Sequence, residues 1–281
     1  MKLVRYGEAG QERPGLLDAN GGIRDLSAHV DDIGRETLLP ASLARLAALD
    51  PASLPAVDQG VRLGACVGGV RNFMAVGLNF SDHARESGFA IPEEPVLFCK
   101  APSCLCGPDD DIILPPGSQK TDWEVELVIV IGDYISRISA EKALDAVAGY
   151  ALCNDVSERA MQHEGTGQWV KGKGCPTFGP LGPWLATPDE IPDVMQLDMY
   201  LDVNGERMQT GSTKTMIFDI PYIVAYVSDF MALEPGDLIT TGTPPGVGMG
   251  MDPQRYLKDG DAVELGVSLL GKQTHRVRAA D

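Results

Sequence analysis

The sequence predicts a mixed, mainly β fold, and three observations point to it. Apolar runs are short, 32 glycines and 20 prolines interrupt them, and few stretches hold helical spacing for long. At 281 residues, with 44% hydrophobic and 22% charged residues, the chain has the composition of an ordinary globular protein and room for one large unit or two unequal ones.

Residues 1 to about 68 read as a small α+β module, and residues 69–281 as the larger unit. Strands are expected near 2–6 and 14–18, with Asn20-Gly21-Gly22 as a hairpin signal between strands. A Leu- and Ala-rich helix follows over 42–49, and Asp50-Pro51 and Leu54-Pro55 break it. His29 stands alone there and reads as a surface or capping residue.

The larger unit opens with an apolar strand over 73–78 that runs into Asn79-Phe80-Ser81-Asp82-His83. Ser81 suits a helix N-cap and Gly88 a helix end. On that helix His83 and Glu86 stand three apart and face one side. A carboxylate bonded to one imidazole nitrogen raises the basicity of the other, as a water-activating base needs; an ordinary surface pair has the same spacing. The turn at 92–95 suits a mobile lid. Lys100 ends a strand over 96–100, facing either solvent or a site.

The segment 121–131 ends in the β-branched and aliphatic run of a buried strand, between Pro115-Pro116-Gly117 and Gly132-Asp133. Alternation puts Glu124 and Glu126 on one face. They are either the wet face of an edge strand or a pair that shares a cation. A second apolar run, 149–153, leads to Asn154-Asp155, which places a third acid at a strand end. An all-oxygen set favours Mg²⁺, Mn²⁺ or Ca²⁺ over Zn²⁺. Arg159 and Gln162, three apart just past Asp155, share a helical face where the guanidinium can clamp a carboxylate. His163 points elsewhere on that helix. The loop 165–174 is glycine-rich and basic and carries Lys173.

Further on, Asn204-Gly205 marks a hairpin turn, and residues 217–231 carry the spacing of a core helix. The glycines of 242–250 are not in phosphate-loop or dinucleotide spacing, so no nucleotide cofactor is expected. Strands around 261–267 close the fold.

A formal net charge of −17 makes nucleic acid and anionic membrane poor partners. An anionic substrate then needs a local positive site. No apolar run reaches the ~20 residues of a membrane span. The N-terminus lacks a signal-peptide core, and six scattered cysteines without zinc spacing suit a reducing cytoplasm.

Seven segments, in order, resemble the fumarylacetoacetate hydrolase superfamily over roughly residues 70 to 275. They are 77–86 (GLNFSDHARE), 123–127 (WEVEL), Gly149-Tyr150 with 154–157 (NDVS), Gly172-Lys173, 178–184 (FGPLGPW), 203–206 (VNGE), and 233–237 (LEPGD) running into 241–248 (TGTPPGVG). The resemblance implies a catalytic β-roll after a small N-terminal domain, and a homodimer. It implies that Glu124, Glu126 and Asp155 hold one Mg²⁺ or Mn²⁺ per subunit. His83 and Glu86 fall on the family's base dyad and Lys173 on its active-site lysine. Arg159 and Gln162 fall where relatives hold substrate, Thr243 where the substrate carboxylate is held, and Lys100 on a lysine near the site. Pro176 departs from the pattern, since many relatives carry an acid there. The implied reaction is hydrolysis of a C–C bond in a 2,4-diketo acid. Within the superfamily, 171–175 and 248–250 are most similar to hydrolases of 2,4-diketo-3-deoxy-L-fuconate and L-rhamnonate, which would yield pyruvate and lactate. Acylpyruvate hydrolysis, oxaloacetate decarboxylation, ureidoglycolate lysis and an isomerase-like activity are the alternatives.

Overall fold

The structure, a computed structural model, describes residues 1–82 and 91–280. Two sheets dominate it. A nine-stranded sheet runs Ile23–Asp25, Arg13–Leu17, Lys2–Tyr6, Leu185–Ala186, Val147–Asn154, Val125–Ile131, Leu238–Thr240, Phe73–Gly77, Val96–Lys100. A five-stranded sheet runs Glu206–Ser212, Asp198–Val203, Ala262–Val267, Gly271–Ala279, Ile112–Leu114. Asp198–Val203 and Ala262–Val267 pack on the central strands of the larger sheet. The core is one continuous apolar cluster, centred on Val125–Ile131, in which every residue is buried. Apart from Glu126 the run is apolar, which fits that central place, because both of its faces are covered. The mixed, mostly β expectation agrees with this architecture.

Local signals account for much of the detail. Asn204 and Gly205 both adopt positive φ, 54° and 78°, the pairing a two-residue hairpin turn requires, and they join Asp198–Val203 to Glu206–Ser212. The core helix is Ile220–Phe230, three residues shorter at its start than its spacing suggests, because the Asp219 side chain accepts from Tyr222 N–H at 2.9 Å and Pro221 follows the cap. Its buried face is Ile220, Ile223, Val224 and Val227. The N-terminal helix is Pro40–Ala47.

The expected boundary near residue 68 coincides with no break in the main sheet. Lys2–Tyr6 pairs with Leu185–Ala186, and Leu3 and Leu16 join the same core as Val128. Long-range pairing of this kind leaves no trace in local composition. Among the described residues no helix is long and apolar enough to cross a membrane.

Candidate active site

The site grows out of one antiparallel pairing. Val125–Ile131 and Val147–Asn154 align Glu126 with Cys153 and Val125 with Asn154. One residue beyond the register, Asp155 N–H donates to Glu124 O at 2.9 Å, and Glu124 N–H donates to Asn154 Oδ1 at 3.1 Å. These bonds carry Asp155 over the start of the strand that bears Glu126 and that Glu124 immediately precedes. One carboxylate oxygen from each of Glu124, Glu126 and Asp155 lies within 4.8 Å of the others, and all three side chains are buried. The two glutamates are therefore not the wet face of an edge strand.

Cations surround the acids unevenly. Lys173 Nζ donates to Glu124 Oε2 at 2.7 Å and to Asp155 Oδ2 at 2.6 Å. Arg159 Nη2 lies 2.7 Å from Glu124 Oε1. Burial opposes the charge on Glu124, but Lys173 and Arg159 override it and hold the carboxyl well below the usual range. Burial likewise opposes the charge on Lys100, yet Asp155 keeps its ammonium above the usual lysine range. Among the described residues no cation is bonded to Glu126. It accepts one hydrogen bond, from Gly242 N–H at 3.0 Å, and burial, Asp155 and Glu124 push its pKa well up. Gly242 reaches it from φ +92°, where a Cβ would meet Asn79 at 3.0 Å, so the turn needs glycine.

This arrangement fits a divalent cation. Asp155 Oδ1 is buried and receives no hydrogen bond; Lys100 Nζ, 2.6 Å away, forms an ion pair with it outside hydrogen-bonding geometry. Four buried carboxylates, with Asp122 as the fourth, face three buried cations. Hard oxygen donors with one acid uncompensated suit Mg²⁺ or Mn²⁺.

The remaining predicted residues take distinct places. Lys100 is fully buried beneath the acids, and Nζ also donates to Lys173 O at 2.6 Å. Of its two readings, the solvent-facing one does not hold. Arg159 does not stand free as a clamp. Nε donates to Asp122 Oδ2 at 2.9 Å, Nη1 to Gln162 Oε1 at 3.0 Å, and Nη2 reaches Glu124, so it orients Glu124 and Gln162. The Thr243 hydroxyl donates to Val125 O at 3.0 Å and accepts from Gln209 Nε2 at 2.8 Å. Pro176 leaves the loop able to form the helix Val170–Lys173 and to deliver Lys173 to the acids. His83 and Glu86 lie outside the described residues.

The acids open onto a cavity of about 430 Å³, lined also by Arg159, Gln162, Lys173 and Thr243. His163 lines it too, contrary to the expectation from helical spacing. It ends a five-residue helix, Arg159–His163, and the cavity wraps around that end. Burial first, then Arg159 and Lys173, hold its pKa below the usual histidine value.

Sequence reasoning passed over several residues here. Asp122 is buried and accepts from Gly248 N–H, Met249 N–H and Arg159, which ties the 246–250 turn to the acid cluster. Its position two residues before Glu124 was the available signal. Gln209 bridges Val125 N–H to Thr243 and Pro244 O. Phe98, Trp169 and Met249 form cavity wall, and no local pattern distinguishes them from core residues.

Residues 72–278 match the model of the fumarylacetoacetate (FAA) hydrolase C-terminal family. A Burkholderia multivorans protein with a provisional hydrolase name is 57% identical over the whole of both chains. Among solved structures, the fumarylacetoacetate hydrolase of Exiguobacterium antarcticum is 37% identical with a TM-score of 0.89, and each chain is covered completely. The maleylpyruvate hydrolase of Sphingobium sp. SYK-6, in complex with manganese(II) and pyruvate, is 29% identical with a TM-score of 0.83, again with both chains fully covered. The 5-carboxymethyl-2-hydroxymuconate delta-isomerase of Mycobacterium smegmatis is 30% identical with a TM-score of 0.77 over all of both chains. The buried acidic cluster, its register on the central strands and these likenesses agree: the chain belongs to the fumarylacetoacetate hydrolase family.

Proposed function

We propose that this protein is a divalent-metal-dependent hydrolase that cleaves the C3–C4 bond of a 2,4-diketo acid to give pyruvate and a second carboxylic acid. The observation that carries the proposal is the buried Glu124, Glu126 and Asp155 cluster, with Glu126 uncompensated, at the floor of a cavity that also presents Lys173 and Arg159. The pyruvate-bound, manganese-bound similar structure supports the same chemistry.

Glu124, Glu126 and Asp155 would hold Mg²⁺ or Mn²⁺. That ion, when bound, supplies Lewis acidity toward the substrate's oxygens. Lys173, fixed by its two carboxylates, places an ammonium where negative charge develops on the leaving pyruvate enolate. Gln162 presents its amide to the cavity with its carbonyl held by Arg159. The Thr243 hydroxyl is engaged by Val125 and Gln209, so its part in holding a substrate carboxylate is support of the 242–243 turn. The base that takes a proton from water attacking C4 is assigned to His83, oriented by Glu86, on the resemblance alone. The finer substrate reading, a 2,4-diketo-3-deoxy-L-rhamnonate or L-fuconate, rests on the sequence similarity of 171–175 and 248–250. The homodimer rests on the same kind of warrant and is checked by light scattering coupled to size exclusion.

The isomerase among the similar structures favours a second reading, isomerisation of an unsaturated oxo acid by the same enolate stabilisation. One assay tests both. Mg²⁺-loaded protein is given acetylpyruvate, 2,4-diketo-3-deoxy-L-rhamnonate and oxaloacetate, and pyruvate is measured with its co-product. Pyruvate with a carboxylic acid, abolished by EDTA, supports hydrolysis. Pyruvate and CO₂ from oxaloacetate alone leaves a decarboxylase, and no pyruvate from any substrate leaves the isomerase reading. Decarboxylation needs no water attack, so His83→Ala separates it from hydrolysis.

A further inference from the structure

We propose that the aromatic part of the cavity lining, around Phe98 and Trp169, is built for an apolar, planar acyl arm, so that aryl- or alkenyl-substituted acylpyruvates are preferred over substrates with a hydroxylated arm. This inference rests on the diketo-acid reading of the site. The lining has two chemically distinct parts. One is polar and carries Glu124, Glu126, Lys173 and Arg159; the other is apolar and is formed by Val76, Leu78, Phe98, Trp169 and Met249.

The aromatic part of that lining is held in place from several sides. The Trp169 and Phe98 ring centroids are 5.1 Å apart and tilted by 59°. His163 meets Trp169 edge-on at 5.7 Å and 79°. The indole packs over Gly77, where a Cβ would stand 3.0 Å from the ring, so a side chain at position 77 would crowd it. Trp169 O in turn accepts from Gly172 and Lys173 N–H at 3.0 and 3.1 Å, which fixes the start of the helix that carries Lys173. Phe98 touches both parts, since Lys173 Nζ sits 5.0 Å from its ring centroid. A substituent on C4 of a substrate anchored at the acids therefore extends along Phe98 toward Trp169.

Such a wall favours a planar arm for two reasons. Aromatic and conjugated groups gain from burial and from offset or edge contacts with Trp and Phe rings. Hydroxyl groups placed there find few partners. Beyond Glu124, Glu126, Arg159 and Lys173, the polar side chains among the described lining residues are Gln162, His163 and Thr243, the last already engaged by Val125 and Gln209, and a buried hydroxyl without a partner is costly. The one-hydroxyl arm of a 6-deoxy sugar acid is tolerated but covers little of the wall.

The test uses the full-length, Mg²⁺-loaded protein with benzoylpyruvate, acetylpyruvate and 2,4-diketo-3-deoxy-L-rhamnonate, and pyruvate release is followed. The expected result is a kcat/KM for benzoylpyruvate about tenfold or more above that for acetylpyruvate. Trp169→Leu, which keeps apolar bulk but removes the ring, should cut that preference by at least about threefold, and Phe98→Leu should act in the same direction. Preference for acetylpyruvate or the rhamnonate derivative overturns the inference, as does an unchanged ratio in both variants, while the hydrolase reading stands. If no substrate releases pyruvate, the hydrolase reading fails and binding decides the arm. Calorimetry then compares 4-phenyl-2-oxobutanoate with 2-oxobutanoate. Equal affinities overturn the inference, and a tighter phenyl compound that loses its advantage in Trp169→Leu upholds it.

Discussion

Glu126 sits two residues past Glu124, within the strand that Glu124 precedes, and among the described residues no cation is bonded to it. Lys173 and Arg159 both reach Glu124, whereas Glu126 receives a single N–H from Gly242. Without a metal, a neutral amide should therefore serve as well as the carboxyl at position 126. Glu126→Gln should leave the metal-free thermal midpoint unchanged or raised, because it removes a buried acid that burial and two acidic neighbours disfavour. The same change should weaken Mn²⁺ binding by roughly a hundredfold or more. Electron paramagnetic resonance of free Mn²⁺ measures the second effect and calorimetric unfolding the first; a large metal-free loss of stability would argue that Glu126 is structural. Lys173 behaves in the opposite way. Lys173→Met strands Glu124 and Asp155 without their ammonium, and a cost of about 3–5 kcal/mol is expected in urea unfolding of the metal-free protein.

The elements that deliver these side chains are short, and their contacts are close. The helices Arg159–His163 and Val170–Lys173 pack so tightly that a Cβ on Gly172 would stand 2.4 Å from Glu158 O and 2.8 Å from Gln162 Cβ. Gly172→Ala should force the second helix off the first and carry Lys173 out of reach of the acids. The expected cost is about 1–3 kcal/mol of stability, with a much larger loss of turnover; pyruvate release from folded protein, with urea titration alongside, separates the two. Short elements are also where local signals lose force. A five-residue helix ends before its periodicity is established, which is why His163 reaches the cavity despite its place in the helical pattern. Where a segment has its own stop signals, as Asp219-Ile220-Pro221 or Asn204-Gly205, element and boundary are readable locally.

At the scale of the whole molecule, the first 68 residues are joined to the rest by a shared sheet and by charged clamps. Arg62 Nε and Nη2 meet Asp110 Oδ1 and Oδ2 at 2.8 and 2.6 Å, and Gly107 N–H also donates to Asp110 at 2.7 Å. Burial works against the Asp110 carboxylate, but Arg62 and Gly107 lower its pKa below the ordinary aspartate value. A depressed carboxyl contributes stability that is present above its unfolded pKa and is lost as pH falls through the folded one. Asp110→Asn should accordingly cost about 1–2 kcal/mol at pH 7, discounted for partial exposure, and the gap from the unaltered protein should narrow by pH 3. Urea midpoints at the two pH values check both points. Deletion of residues 1–68 removes the strand that covers Leu185–Ala186 and part of the common core. The truncated chain should be aggregation-prone and lack a cooperative thermal transition, whereas a soluble, cooperative product would support an independent domain boundary near residue 68.

Local chemistry was enough to read the mainly β class, the hairpin at Asn204-Gly205 and the buried strand through Val125–Ile131, and to single out Glu124, Glu126 and Asp155, whose reading as metal ligands came from the family resemblance. Those features depend on alternation, turn residues and charge placed against apolar neighbours, all of which lie within a few positions along the chain. Only the tertiary structure decided that Lys100 is buried beside Asp155, that Arg159 bridges Glu124 and Asp122, and that Thr243 is engaged by Gln209. It likewise put Trp169 and Phe98 in one cavity lining with Glu124 and Glu126 and joined Lys2–Tyr6 to Leu185–Ala186. Each of these brings together residues far apart along the chain, where the partner is chosen by how the sheets close and not by any local preference of the chain.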